Sequence, residues 1–226
     1  SARAKGAKQI FVGIGGSATN DGGFGLARAV GHEFFAANQK PIEHWTGLHR
    51  LVEIRPPQRR GFGRITVAVD VWNPLLGARG ATRVYGPQKG LCAEDFPPAE
   101  KCLRRLATVA RRHFGQDFAQ WPGAGAAGGL GFGLLTFLGA KSEPGFELFA
   151  RHAKLNGHLR AADLVITGEG AIDRSTLMGK GTGEIAQRCR AREIPCLGLA
   201  GCLAPDIRRN QLFCELRALT DLTTVR

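Results

Sequence analysis

Among its six cysteines (Cys92, Cys102, Cys189, Cys196, Cys202 and Cys214) the sequence has no C-x-x-C pair, and a zinc site is not expected. No secretory leader is recognisable, so the expectation is reduced thiols in a cytoplasmic protein. No serine stands in a G-x-S-x-G elbow and the six histidines offer no triad, which disfavours hydrolase chemistry of that kind. Acidic residues are scarce, with 19 Asp and Glu against 31 Lys and Arg, a net charge of +12. The basic surplus is scattered over 55–64, 101–113, 188–192 and 208–209 instead of being gathered on one element with aromatics. A nucleic-acid partner is therefore not expected; solvated faces are, or a mild attraction of anions into a cleft. Long apolar runs are missing too. The uncharged stretch 123–140, GAGAAGGLGFGLLTFLGA, follows Pro122 and is broken by glycine. It reads as a glycine-rich loop entering a buried helix, and no membrane span is expected.

Glycine is what the chain has in excess, 32 of 226 residues. The glycines have no fixed period, which excludes collagen, and they cluster at 13–25, 123–133 and 168–183. Such backbone turns tightly or lets a ligand approach closely. With 43% apolar and 22% charged residues the remainder is ordinary globular material.

Local patterns give the elements. KQIFVGI at 8–14 and RITVAVDV at 64–71 read as buried strands, and 22–30 as a helix after the first of them. Pro97 and Pro98 open an amphipathic helix that carries Leu103, Leu106, Val109, Ala110 and Phe114 on one face and ends at Gly115. AADLVIT at 161–167, a helix over 182–192 and PCLGLA at 195–200 form a βαβ unit, hence a parallel sheet. The character of the chain changes near residue 160. A parallel sheet covered on both faces needs more strands than 161–226 supply, so part of this fold is expected to be missing.

Four constellations can carry chemistry. In GIGGSATNDGGFG (13–25), Gly13, Gly15 and Ala18 match a dinucleotide fingerprint formally, but Glu33 lies on no recognisable strand. A loop whose amides bind an anion, with Ser17, Thr19, Asn20 and Asp21 as polar groups, competes with a plain tight turn. In the second, Asp70 ends a strand, where it could hold Mg²⁺, orient a hydroxyl or cap a turn; Asn73 follows, and Lys89 of GPQKG could meet a phosphate or lie on the surface. In the third, Gly123, Gly125 and Gly128 repeat the fingerprint spacing with no strand before them, which suits close helix packing. The fourth is TGEGAIDRSTLMGKGTG (167–183), read as one loop between strand and helix. Lys180 suits phosphate at a helix start, and Glu169 and Asp173 suit a metal or a proton, or capping alone. It is no Walker A loop, because Arg174 and Gly181 occupy positions that need Gly and Ser/Thr.

Taken together, GIGGSATNDGG (13–23), VDVWNPLLGARGATRVYGPQKG (69–90), PGAGAAGGLGFGLLTFLGA (122–140) and ADLVITGEGAIDRSTLMGK (162–180) resemble the type II glycerate kinase family in sequence, order and spacing. The resemblance implies an α/β fold of two domains with the active site in their cleft. An inserted α+β domain would occupy 1–160, and 161–226 would be the C-terminal part of a discontinuous Rossmann-like domain. It implies ATP-dependent phosphorylation of D-glycerate, at the 2-hydroxyl in bacterial members, with Mg²⁺ as cofactor. A homodimer is among the expectations. Asp21, Asp70, Asp173 and Lys180 would be catalytic. Gly15, Gly16, Ser17, Thr19, Asn20, Asn73, Lys89 and Glu169 would bind substrate or phosphate, and Glu169 and Asp173 would hold the metal. Nothing here matches the family's first lysine-bearing loop, its second Gly/Asp/Glu-rich loop or its C-terminal helix. The alternative expectation is therefore a catalytically impaired fragment that binds anions or nucleotides only.

Overall fold

A computed structural model describes residues 5–58, 62–179, 181–208 and 211–222. The chain divides into two compact units, Ser1–Gly145 and Phe146–Arg226. Both are α/β in construction.

In the first unit three parallel strands form a sheet, with β4 (Arg64–Ala68) central between β1 (Gln9–Gly13) and β5 (Lys141–Glu143). Strands β2 (Glu33–Phe35) and β3 (Glu53–Arg55) pair antiparallel in a separate sheet. Glu33 thus does begin a strand, but one that does not extend the sheet of β1. The dinucleotide fingerprint fails on topology, because its acidic residue must end the next strand of the same parallel sheet.

The described residues of this unit also form the α-helices α1 (Phe24–Ala29), α2 (Ala81–Tyr85), α3 (Phe96–Phe114) and α4 (Ala126–Leu138). Helix α3 buries Leu103, Leu106, Val109 and Ala110, exposes Arg104, Arg111 and Arg112, and stops at Gly115 in the left-handed region. Helix α4 is apolar all round because it is packed on two sides. Phe132 and Phe137 join a core with Phe24, Phe34, Leu103 and Leu106, while Ala126 and Leu134 join a second core with Ile65 and Val67 of β4. Gly133 within α4 and Gly23 before α1 permit contact between backbones: a Cβ at Gly23 would lie 2.6 Å from the Gly133 Cα. No described helix is long and apolar enough to cross a membrane.

The second unit holds α5 (Gly145–His152), α6 (Leu155–Arg160), α7 (Gly181–Arg190) and the parallel sheet β6 (Val165–Ile172), β7 (Cys196–Leu203) and β8 (Glu215–Ala218), in that order across the sheet. The βαβ unit is present, but β6 begins later and runs further than AADLVIT. GEGAI belongs to the strand. Gly168 read as loop because glycine weakens a strand, yet here it admits close pairing: a Cβ on it would lie 2.4 Å from the Leu199 carbonyl oxygen. One face of this sheet packs Val165, Cys196 and Ala200 into a core with Ala186, Cys189 and Phe213. On the opposite face Leu164, Ile166 and Leu199 are exposed.

Candidate functional site

In an open α/β sheet, ligands gather outside the carboxyl ends of the strands. At that edge of the first unit, the segments following β1 and β4 enclose a cavity of about 450 Å³. Gly15, Gly16 and Ser17 line one side, Asp70 and Val71 the other, and Gln88 and Lys89 reach in from the turn after α2. A Cβ added at Gly15 would meet nothing within 4 Å, so packing does not demand glycine there; the loop presents bare backbone to open space.

Lys89 is the cavity's cation. Its Nζ donates to Ser17 Oγ at 2.8 Å and to the Thr19 carbonyl at 2.5 Å. An ammonium has three donors, so the two contacts fix its position and leave one for a ligand. Burial pushes its pKa below the usual lysine value, and the nearby Asp21 charge acts in the opposite direction. The result is a partly desolvated positive charge beside a glycine loop, a combination suited to a phosphate or carboxylate.

Of the residues expected from sequence, Gly15, Gly16, Ser17, Asp70 and Lys89 share this cavity, with Thr19 joined to it through Lys89. Three neighbours have structural work instead. Asp21 accepts hydrogen bonds from the amides of Gly23 and Gly25, at 2.9 and 2.8 Å, where α1 begins. Asn73 donates to the Arg79 carbonyl at 2.8 Å and accepts from the Tyr85 hydroxyl at 2.7 Å. Buried Asn20 donates to Thr82 Oγ1 at 3.2 Å, while its Oδ1 has no hydrogen-bond partner among the described residues. Asp70 accepts the amide of Gly145 at 2.9 Å. Tyr85 and Gln88 line the cavity and were not singled out from sequence. Their signal was their place in the same GATRVYGPQKG segment as Lys89. Burial raises the Tyr85 pKa, which keeps the phenol protonated as the donor to Asn73.

In the second unit, Glu169 lies on β6 and Asp173 just after it. Fully buried Thr176 ties them together. Its hydroxyl donates to Glu169 Oε1 at 2.7 Å and accepts from the Asp173 amide at 3.1 Å. The Asp173 carboxylate in turn accepts from the Ser175 amide at 2.7 Å and from the Ser175 hydroxyl. Glu169 is thus tied to the Thr176 hydroxyl by its carboxylate and Asp173 by its backbone amide, while the Asp173 carboxylate caps Ser175. Lys180 lies outside the described residues. No group of three or more His, Cys, Asp or Glu able to hold a metal occurs among the described residues.

A profile of the glycerate kinase family matches residues 1–223. The chain is 42% identical over 203 residues to the glycerate kinase of Halalkalibacterium halodurans, a match that covers 88% of this chain and 53% of that protein. It is 40% identical over 207 residues to the glycerate 2-kinase of Escherichia coli K12, covering 89% of this chain and 54% of that one. The crystal structure of a protein provisionally described as glycerate kinase 2, from Salmonella typhimurium LT2, superposes with a TM-score of 0.81 at 37% identity, over 96% of this chain and 58% of that chain. The chain therefore spans about half the length of the curated relatives it matches. With an α/β fold and four motifs in register, the chain belongs to the glycerate kinase family.

Proposed function

We propose that the protein is a kinase that transfers a phosphoryl group from ATP to D-glycerate, at the 2-hydroxyl. The observation that carries this reading is the Lys89 ammonium held by Ser17 and Thr19 over an open glycine loop, in a chain of this family. The relative from Escherichia coli, a glycerate 2-kinase, supports the choice of hydroxyl.

Phosphoryl transfer asks little covalent chemistry of a protein; it asks for positioning and for neutralisation of charge. The loop amides at Gly15–Ser17 and the Lys89 charge supply these for an anionic group. Asp70, whose carboxylate is oriented by the Gly145 amide, faces the same cavity and can accept a hydrogen bond from a substrate hydroxyl. Held by two neutral oxygens, Lys89 keeps its charge for a ligand, and the nearby Asp21 carboxylate supports the charged form.

Magnesium suits the donors of the second unit. Mg²⁺ in kinases is held by one or two carboxylates plus substrate phosphates, so a cluster of three protein ligands is not required. Glu169, on β6, and Asp173, just after it, are two carboxylates that each offer hard oxygen donors. The same acids could instead take the hydroxyl proton. We also read the second unit as part of a discontinuous Rossmann-like domain, supported by its parallel order and by the apolar face that carries Ile166 and Leu199.

The test is a coupled ADP-release assay on the full-length protein with ATP, Mg²⁺ and D-glycerate, with the product identified by phosphorus NMR. Glycerate-dependent ADP release and 2-phosphoglycerate are expected. No release would remove the kinase reading, and 3-phosphoglycerate would correct the hydroxyl.

A further inference from the structure

A second cavity, of about 430 Å³, adjoins the first. Where the glycine-loop cavity lies between the carboxyl ends of β1 and β4, this one lies between those of β4 and β5. Val69 and Val71, on the segment that continues β4, line both. The two hollows are therefore neighbours along one sheet edge, separated by a single run of backbone.

Their linings differ in kind. The first presents loop amides, a lysine and an aspartate. The second is walled by Trp72, Trp121, Pro122 and Pro144, with Glu143 bringing a carboxylate. Two of the chain's three tryptophans thus face one cavity. Trp72 is 68% exposed and Trp121 49%, so neither is there to fill the core. Trp121 is held in place, its indole N–H donating to Ser142 Oγ at 3.2 Å. Aromatic faces at low rotamer cost, one of them oriented by a hydrogen bond, make a stacking platform.

We infer that this second cavity seats the base of the nucleotide, stacked against Trp72 and Trp121, while its phosphates extend past Val69 and Val71 to Lys89 and the Gly15–Ser17 loop. The inference rests on the kinase reading and specifies where in the first unit the nucleotide lies. A ligand that fills both cavities must be flat and apolar at one end and anionic at the other, which is the chemistry of a purine nucleotide. A free organic acid such as glycerate matches the first cavity alone.

Calorimetry on the full-length protein separates the two ends, with adenosine and inorganic tripolyphosphate as probes. Trp72→Ala and Trp121→Ala should weaken adenosine about tenfold and leave tripolyphosphate unchanged, while Lys89→Met does the reverse; stacking on a single aromatic is worth about this much. In steady-state kinetics Trp72→Ala should raise KM for ATP by a similar factor and leave KM for D-glycerate unchanged. Adenosine binding unaffected by both tryptophan variants would overturn the inference. So would a loss of melting temperature in Trp72→Ala with KM for ATP unchanged, the signature of a tryptophan covered by protein. A rise in glycerate KM in place of ATP KM would overturn it as well. Absence of glycerate phosphorylation would defeat the kinase reading alone, because the adenosine titration reports on the base site whatever the acceptor is.

Discussion

Two glycine-rich stretches of the first unit look alike in sequence and do opposite things. In the 123–133 stretch the missing side chains are filled by other backbone: a Cβ at Gly128 would lie 1.9 Å from the Thr19 carbonyl oxygen, and that residue also has a positive φ of 68°. At Gly15 a Cβ would meet nothing within 4 Å, and its φ is not positive. The 123–133 glycines, together with Gly22 and Gly23 that face them, exist so that the chain can touch itself, whereas a Cβ at Gly13, Gly15 or Gly16 would meet nothing within 4 Å. The latter leave room for something that is not the chain. The same residue type therefore reads as architecture in one place and as a binding surface in the other, and only the neighbours tell them apart.

The contrast can be broken by substitution. Gly128→Ala should unfold the first unit or destabilise it by about 3 kcal/mol or more, combining left-handed strain with overpacking. A urea midpoint unchanged from the parent would show that the contact is dispensable. Lys89→Met should keep the fold and lower kcat/KM by roughly 100-fold or more, the scale of losing one preorganised charge contact. Retained activity would remove Lys89 from the site. Gly15→Ala should shift stability by no more than about 0.5 kcal/mol, as an unconstrained surface position does. It should still raise KM for ATP, and a Gly15→Ala variant that binds ATP normally would erase the distinction between the two stretches.

The smallest expected effect is on pH dependence. Lys89 binds an anion only while protonated, and its pKa lies below 10.5 because burial disfavours the charged form. Affinity for tripolyphosphate should therefore fall as pH rises toward that pKa, earlier than an exposed lysine would allow. In Lys89→Arg the fall should be absent, since a guanidinium stays charged throughout this range.

Much of the scaffold was legible from local pattern. The strands at 8–14 and 64–71 are short apolar runs and the helix ending at Gly115 has apolar periodicity, and β1, β4 and α3 lie there. Among the described residues, however, β1 pairs on one side only and has its residues exposed or half-buried, so it is not the buried strand expected. What failed to read did so for physical reasons. Strand β6 was cut short because Gly168 and Gly170 resemble a loop until β7 is beside them. The β2–β3 pair was missed because strands of three residues leave almost no alternation to see. In the site, the motifs named Gly15, Gly16, Ser17, Asp70 and Lys89, all now in one cavity. They could not reveal that Asp21 and Asn73 serve backbone amides and carbonyls, because those bonds depend on where the chain turns. Trp72 and Trp121 escaped attention altogether, since 49 residues of sequence separate two side chains that line one hollow.

Helix α4 has a consequence for how the first unit can come apart. Its residues complete both apolar cores, so neither core is whole once that helix leaves. Opening the sheet side strips Leu134 of its neighbours, and opening the other side strands Phe132. The unit has no seam along which a part can detach and leave a folded remainder. Amide exchange along β4 and α3 should report a single shared opening event, and the loops that ring the cavity beside Lys89 inherit that rigidity from beneath.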